Sequence, residues 1–494
     1  MGLRQPSLKN SIMKFKLLYL ALVLLHCSLS AQTTLHWSNS LVVDSTVRPI
    51  TSPRIVLLPN GTPLVTWGIS GDFVNSTSQI WCSRMEDGAF TAPIGVVQAP
   101  EEPLLYGFGG YDVAVSDSQA FVVFEQNQQG ISLARSDDGG LTFGSPNPVQ
   151  GAIQGGYAIL SSIIVDGTGN PVVSYIQYKN GTASYEVRRS SDGGFNFDAS
   201  VVGNAPTPGG AVCECCISDL LASGDSIWLL FRNNNQNLRD IWVSRSTDLA
   251  ATFNTATDVD ATDWLLDFCP VAGPRMARSG DSLVIIWMSG ATGTGRVYLN
   301  TLHSGTMQAG VQLDFPIQSA PQTAQGQTDV TASQDTIGMA FVENSKEIVF
   351  HFSTTGTTGL ANQSTRFAVP DHTLHLPSLA FRNGVFHLVY SDATSGQVLY
   401  RQGVLKGSSR VEAVINHGAI SVFPNPVVNG VIVVKSTAPE LQEISIFDVF
   451  GQRILEQKVE GFEAIIPANQ LPKGVYFLKI KTQQGAASQQ IVIW

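Results

Sequence analysis

The chain has 494 residues, more than one hydrophobic core usually organises, so several domains or a repeat are required. Only 14% of the residues are charged and 46 are glycine, with Val, Ile, Thr, Ser, Phe and Trp recurring where a helical protein would carry Glu, Lys and Ala; this is an all-β composition. A net charge of −10 without a basic stripe excludes nucleic acid as a partner, because that affinity comes from Lys and Arg neutralising phosphates.

Residues 1–31 read as a signal peptide: Lys14 and Lys16 precede the apolar run Leu17 to Leu25, and Ser28, Ser30 and Ala31 offer a cleavage site. The run is too short for a comfortable membrane span and no stop-transfer segment follows, so an exported, monomeric protein without a membrane span is expected. Thr34 to Asp44 is then a solitary strand.

From Pro53 onward a unit of about fifty residues recurs: apolar strand, Gly/Asn/Asp turn, apolar strand, loop, strand, a Ser-x-Asp-x-Gly turn ending in an aromatic residue, and a last strand. The turn is clearest at Ser136 to Phe143 and Ser190 to Phe197; Ser246 to Phe253 lacks the glycines, and Ser83 to Phe90 is degenerate. Its chemistry is structural: the Asp carboxylate accepts backbone N–H groups, Gly supplies positive φ, and the aromatic ring plugs a gap between strands. Inner strands starting near Pro53, Gly110, Tyr157, Cys213, Cys269, Thr328 and His375 predict a β-propeller of six or seven blades, seven favoured, over residues 32–405. The last unit, His375 to Leu405, stops after three strands, and pairing with Thr34–Asp44 would close the ring and remove its edges. A linker over 406–418 and a small C-terminal β-sandwich over 419–494 complete the expected domains.

The repeated turns resemble the Asp boxes of sialidase-type propellers. The segments Ser421-Val422-Phe423-Pro424-Asn425-Pro426, Ile444 to Gln452 and Leu471 to Lys479 resemble the C-terminal sorting domain of type IX secretion cargo, a family of Bacteroidetes-type bacteria. That second resemblance implies engagement by the type IX secretion machinery, cleavage, and release or attachment to the cell surface.

The starts of the inner strands converge on one axial face, the natural site of a propeller. The sialidase resemblance implies three arginines on a substrate carboxylate, an Asp as acid/base and a Tyr nucleophile activated by a Glu. Residue by residue, Arg54, Arg232 and Arg296 match the arginines, Asp72 the acid/base and Glu214 the activating carboxylate. The nucleophile has no counterpart, since the corresponding strand offers Gln327 or His375, and Tyr390 lies far along its strand.

A sharper constellation is Cys213-Glu214-Cys215-Cys216 before one blade and Cys269-Pro270 before the next, four thiols expected to meet near the axis. It resembles a group of exported bacterial Asp-box proteins with Cys-x-Cys-Cys and Cys-Pro motifs. An oxidising route favours disulfides; clustered soft thiolates also suit copper or zinc, with Glu214 or His375 as a further ligand. Cys82, on a third strand, reads as a buried free thiol. Tyr106, Phe108, Tyr111 and Tyr157 are candidates for stacking on sugar rings. The preferred function is binding of extracellular glycan or glycoprotein at the axial face; an active exo-sialidase and a thiol-metal module are the alternatives.

Overall fold

In the computed structural model the described residues are 33–45, 50–70, 78–97, 102–126, 130–315, 323–406, 420–427, 430–437, 440–448, 453–469, 471–482 and 485–493. The expected signal peptide, Asp72 and residues 407–418 of the expected linker lie outside them. Two compact units are present: residues 33–406 form one, and the described residues from Ile420 onward belong to the other.

The first unit is seven antiparallel sheets. Their innermost strands are Ile50–Leu57, Tyr111–Ser116, Gly156–Val165, Asp219–Ser223, Arg275–Ser279, Gln325–Ser333 and Leu374–Arg382, numbered here as blades 1 to 7. Each packs on the next and the seventh packs on the first, so the ring is closed. Cys213 and Cys269 lie in the loops that precede Asp219 and Arg275, not on the inner strands themselves.

Second strands such as Pro63–Ile69 and Ser282–Ser289 are apolar almost throughout because the blades stack face to face and bury both sides of each sheet. One core between blades 1 and 2 joins Leu64 and Ile80 to Val113, Val122 and Phe124. Each such side chain contributes about 1.5–3 kcal/mol on leaving water. Blade 7 takes its outer strands from the start of the chain: Thr34–Trp37 and Leu41–Asp44 both pair with Gln397–Lys406, Thr34 standing opposite Lys406. The solitary strand thus closes the ring as the sequence predicts.

The Asp-box turns sit between the third and fourth strands of blades 2, 3 and 4. In the first, the Ser136 hydroxyl donates to Asp138 at 2.7 Å and accepts the Gly140 N–H at 2.8 Å, while Asp138 accepts the N–H groups of Leu141 and Thr142 at 2.9 Å each. The same contacts recur around Asp192 and, in large part, Asp248. Burial alone would raise Asp138, but these hydrogen bonds, Thr142 foremost, bring it down to about 2. Gly139 (φ 72°) and Gly140 (φ 84°) supply the left-handed turn; blade 4 places Leu249 (φ 56°) and Ala250 (φ 66°) there instead. The aromatic plugs Phe143, Phe197 and Phe253 each pack into an interblade core. The degenerate copy in blade 1 is a plain hairpin turn with Asp87 and Gly88 at positive φ.

The inner strands share a second repeat that sequence reading did not isolate. Ser52, Gly110, Leu160, Gln327 and Leu376 all have positive φ. At four of them the pairing register shifts just before the residue two further on. Arg54, Asp112, Asp219, Arg275, Asp329 and Ser378 hold that position in six blades and form a polar belt lining the axial space, while Ser162 of blade 3 bonds to Ser174 and Ser218 instead. Each acceptor reaches the next blade: Ser378 takes the N–H of Ile55, Asp112 that of Ile163, Asp219 that of Met276 and Asp329 that of Leu379. In blades 4 and 5 the equivalent of the positive-φ residue is Ile217 or Gly273, and neither has positive φ.

The second unit is built on a three-stranded sheet (Ile420–Phe423, Val431–Ser436, Glu463–Pro467) and a four-stranded one (Arg453–Lys458, Leu441–Phe447, Gly474–Thr482, Gly485–Ile493). Alternating residues such as Ile432, Val434, Ile444, Ile446, Leu478 and Ile480 form its core, the pattern of a sandwich with one wet face per sheet.

Candidate functional site

The ring leaves a pocket of about 210 Å³ at one end of the axis. Its walls include Phe108, Ile217, Pro270, Val271, Leu376 and Pro377, and its polar lining includes Ser52, Arg54, Arg275, Gln327 and Thr328. Deeper on the axis lies a second space of about 160 Å³ at the level of the belt, sharing Arg54 and Arg275 with the first.

Arg54 therefore borders the pocket, but it is bound into the belt, its Nε 3.6 Å from Asp112. Burial and the like charge of Arg275 lower its pKa. Arg275 pairs with Asp219 at 3.6 Å, and burial lifts Asp219 to about 6 in spite of that partner. Two arginines and three aspartates thus act on one another around the axis, which is why the strand starts are so polar in sequence.

Arg232 and Arg296 do not line this pocket. Arg232 is fully buried at the end of the second strand of blade 4, and its guanidinium donates to three carbonyls: Met288 at 2.6 Å, Arg239 at 2.7 Å and Ala272 at 3.3 Å. Trp264 covers it, with the guanidinium carbon 5.2 Å from the ring centre. Its side chain thus holds the Cys269 loop at Ala272, and its backbone carbonyl accepts the Cys213 N–H at 3.0 Å. Arg296 begins the third strand of blade 5, with Nε 3.8 Å from Asp314 and Nη1 3.5 Å from the Thr323 carbonyl. Glu214 is half exposed and faces Arg239 at 3.7 Å. The geometry gives Arg232 and Arg296 anchoring contacts and does not gather the three arginines and Glu214 into one cluster.

A tyrosine does meet a glutamate elsewhere. The Tyr106 hydroxyl donates to both oxygens of Glu125, at 3.0 and 3.1 Å. Glu125, next to last in the strand Gln119–Gln126, is 4% exposed and also accepts from the Leu160 N–H at 3.4 Å. Burial lifts it to about 7, against the opposing effect of those two donors. Tyr106 stacks on Phe108, and Tyr157, about half exposed, stacks on Tyr178. Tyr111, by contrast, is buried, its hydroxyl donating to the Ser52 carbonyl at 2.6 Å. His375 is mostly buried, and burial lowers its pKa.

The four cysteines converge. Cys215 and Cys269 form a disulfide between the loops of blades 4 and 5, with Cα atoms 6.2 Å apart. Cys213 and Cys216, both buried, have sulfurs 2.9 Å apart, and Cys213 Sγ lies 3.9 Å from Cys269 Sγ and 4.0 Å from Cys215 Sγ. Arg239 Nη1 donates to Cys213 Sγ at 3.2 Å. The bond from the Cys216 thiol, aided by the nearby guanidinium groups, pulls the Cys213 pKa down, whereas burial pushes Cys216 up. All four sulfurs lie within 4.8 Å of one another, so the cluster could hold a soft metal ion such as copper or zinc; neither Glu214 nor His375 belongs to the group. Cys82 is a buried free thiol, as the sequence suggests.

Residues 421–494 match the family described as secretion system C-terminal sorting domain. The protein is therefore type IX cargo, destined for the cell surface or for secretion. No curated protein matches the chain. Similar solved structures include a Penicillium chrysogenum alpha-L-arabinanase (11% identity, 75% of this chain and 98% of that one, TM-score 0.43). A Hadza microbial sialidase (16%, 60% and 63%, 0.42) and a Trypanosoma rangeli sialidase (10%, 90% and 84%, 0.41) are others. Among the described residues no helix is long and apolar enough to cross a membrane.

Proposed function

We propose that this exported propeller binds extracellular carbohydrate, free or on a glycoprotein, through the axial pocket and the aromatic residues beside it. The observation that carries this reading is the pairing of flat aromatic faces, Tyr106 on Phe108 and Tyr157 on Tyr178, with a pocket that sets Phe108 beside the polar residues Arg54, Arg275, Gln327 and Thr328. Sugars are recognised by this combination of apolar ring faces and convergent polar groups. The test is an array of immobilised glycans, sialylated ones included, probed with the wild-type propeller and with Phe108→Ala and Tyr157→Ala. Binding that falls about tenfold or more in both variants supports the reading; no glycan bound, or binding untouched by both, overturns it.

The Tyr106–Glu125 contact favours one second reading, a glycosidase, because a tyrosine with a carboxylate partner is the usual nucleophile arrangement of sialidases. A fluorogenic sialoside separates the two. Turnover abolished by Tyr106→Phe and Glu125→Gln would replace the binding-only view. Turnover lost with Arg54→Ala, Arg232→Ala or Glu214→Gln, but kept in Tyr106→Phe, would restore the site expected from sequence, with Asp72 and Arg296 as its remaining members. Elemental analysis for copper and zinc tests the third alternative, a thiol-metal module.

A further inference from the structure

We propose that the four cysteines form one disulfide-exchange site, in which the bond between blades 4 and 5 can be transferred inward to Cys213–Cys216, and that its position controls one wall of the axial pocket. The chemistry is set by proximity: a third sulfur lies close to both ends of the Cys215–Cys269 bond, and a fourth lies beside the third.

The exchange needs no outside reagent. The Cys213 sulfur attacks Cys269 Sγ, 3.9 Å away; a Cys213–Cys269 bond forms as Cys215–Cys269 breaks, and the Cys215 sulfur leaves with the electron pair and takes up the proton Cys213 gives up. Cys216, 2.9 Å from Cys213, then attacks Cys213 Sγ. The Cys213–Cys216 bond forms, Cys213–Cys269 breaks, and Cys269 departs with the proton from Cys216. Two sulfur–sulfur bonds are made and two are broken, with no net oxidation or reduction.

The outcome is mechanical. Cys269 is followed directly by Pro270, Val271, Ala272 and Gly273, all of which line the pocket. In the starting arrangement the disulfide ties this segment to the neighbouring blade; in the product the bond closes only the short loop of blade 4. The wall is then held by Arg232 on the Ala272 carbonyl, the longest of that side chain's three hydrogen bonds, and by the tight approach of Gly273, where a Cβ would stand 2.4 Å from the Ile217 carbonyl oxygen. Blades 4 and 5 are also where the positive-φ residue of the inner strands is missing, so the sulfur staple stands in place of the repeat's own geometry. Leu265 and Phe268, 73% and 63% exposed on the same loop, make its release readable by protease.

The experiment uses the whole propeller carrying one disulfide and two free thiols in the cluster, a state verified by intact mass after alkylation of a separate sample. Samples are alkylated at intervals under acid quench and the bond present is mapped by mass spectrometry. In parallel, chymotryptic cleavage after Phe268 is followed. The expected result is relaxation to a mixture of Cys215–Cys269 and Cys213–Cys216 bonded molecules, with Phe268 cleavage at least several-fold faster in the second population. Cys213→Ser should hold all molecules at Cys215–Cys269 with slow cleavage. Should that variant fail to fold, Cys216→Ser gives the same discrimination, since no Cys213–Cys216 product can form and the cleavage rate should stay low. A wild-type protein whose surviving bond never leaves Cys215–Cys269 overturns the proposal. So does equal cleavage of both forms, or one tightly bound copper or zinc ion per chain with all four thiols reduced.

Discussion

The outer turns of blades 2 to 4 and the axial loops of blades 4 and 5 use opposite means to hold a chain reversal. Each outer turn is closed by its own Ser and Asp, through hydrogen bonds spanning at most four residues. The axial loops have short internal bonds as well, from the Cys216 N–H to the Cys213 carbonyl and from Thr262 to Asp260, but they are tied to each other by a buried arginine, whose guanidinium reaches Ala272 and whose own carbonyl takes the Cys213 N–H, and by a disulfide spanning 54 residues. Local closure tolerates repetition and carries only architecture. Closure borrowed from elsewhere occurs where the repeat is broken, and here the break adjoins the axial pocket.

The sharpest way to break this contrast is Arg232→Ala. It leaves the carbonyls of Arg239, Ala272 and Met288 without their donor in a buried site, and a loss of roughly 3–5 kcal/mol is expected in chemical denaturation. A loss below about 1 kcal/mol would mean that the loops are held some other way.

A smaller effect is expected at the outer turns. Gly194 has φ 92°, and a Cβ there would stand 2.7 Å from Leu133 Cδ2, so Gly194→Ala should cost about 1–3 kcal/mol. In blade 4 the equivalent position already holds Ala250 at φ 66°, and Ala250→Gly should change stability by no more than about 1 kcal/mol. Equal effects at the two sites would erase the distinction between an intact and a worn copy of the turn.

Stability should also depend on pH, and the sign of that dependence differs between the regions. Near the axis, burial lifts Glu125 to about 7, and it lifts Asp219 to about 6. Burial, with the neighbouring Asp258 and Asp260, takes Asp240 to about 7. Groups raised in the folded state stabilise fully below their unfolded pKa of about 4, and that contribution is lost as pH rises through 6 to 7. The outer-turn carboxylates Asp138 and Asp192, held at about 2 by their hydrogen bonds, behave oppositely: their contribution is present above about 4 and is lost as pH falls toward 2. Denaturation midpoints should therefore peak in mild acid and decline toward pH 8. Glu125→Gln should flatten the alkaline limb only, and Asp138→Asn the acid limb only.

Much of the architecture was legible in the chain because it repeats. The Ser-x-Asp turns announced the blades, the three-stranded last unit and the solitary strand before it announced ring closure, and the cysteine spacing announced that four sulfurs would meet. The site was harder to read, because its polar residues do two jobs that look alike in one dimension. Arg54, Asp112, Asp219, Arg275 and Asp329 sit where a ligand would be met, yet they largely satisfy one another and the N–H groups of the next blade. Arg232 closes an apolar strand, the position the sialidase resemblance assigns to a substrate-binding arginine, and its carbonyl partners come from segments 7, 40 and 56 residues away. The Tyr106–Glu125 pair was missed for a similar reason, since the two residues lie on different segments of the chain, 19 apart. One signal could have found it: a carboxylate ending the apolar run Ala120 to Phe124 must be buried, and a buried carboxylate needs donors.

The pairing of Thr34 with Lys406 carries a temporal consequence. Chain synthesis makes the outermost strand of blade 7 before any of that blade's other strands, so the earliest piece of the propeller waits for its latest. Six blades can assemble while the seventh still lacks a place to receive its guest, and the wheel locks only when residues some 370 positions apart are zipped together. Until that moment Gln397–Lys406 keeps an unpaired edge, and blade 7 is an incomplete sheet of three strands.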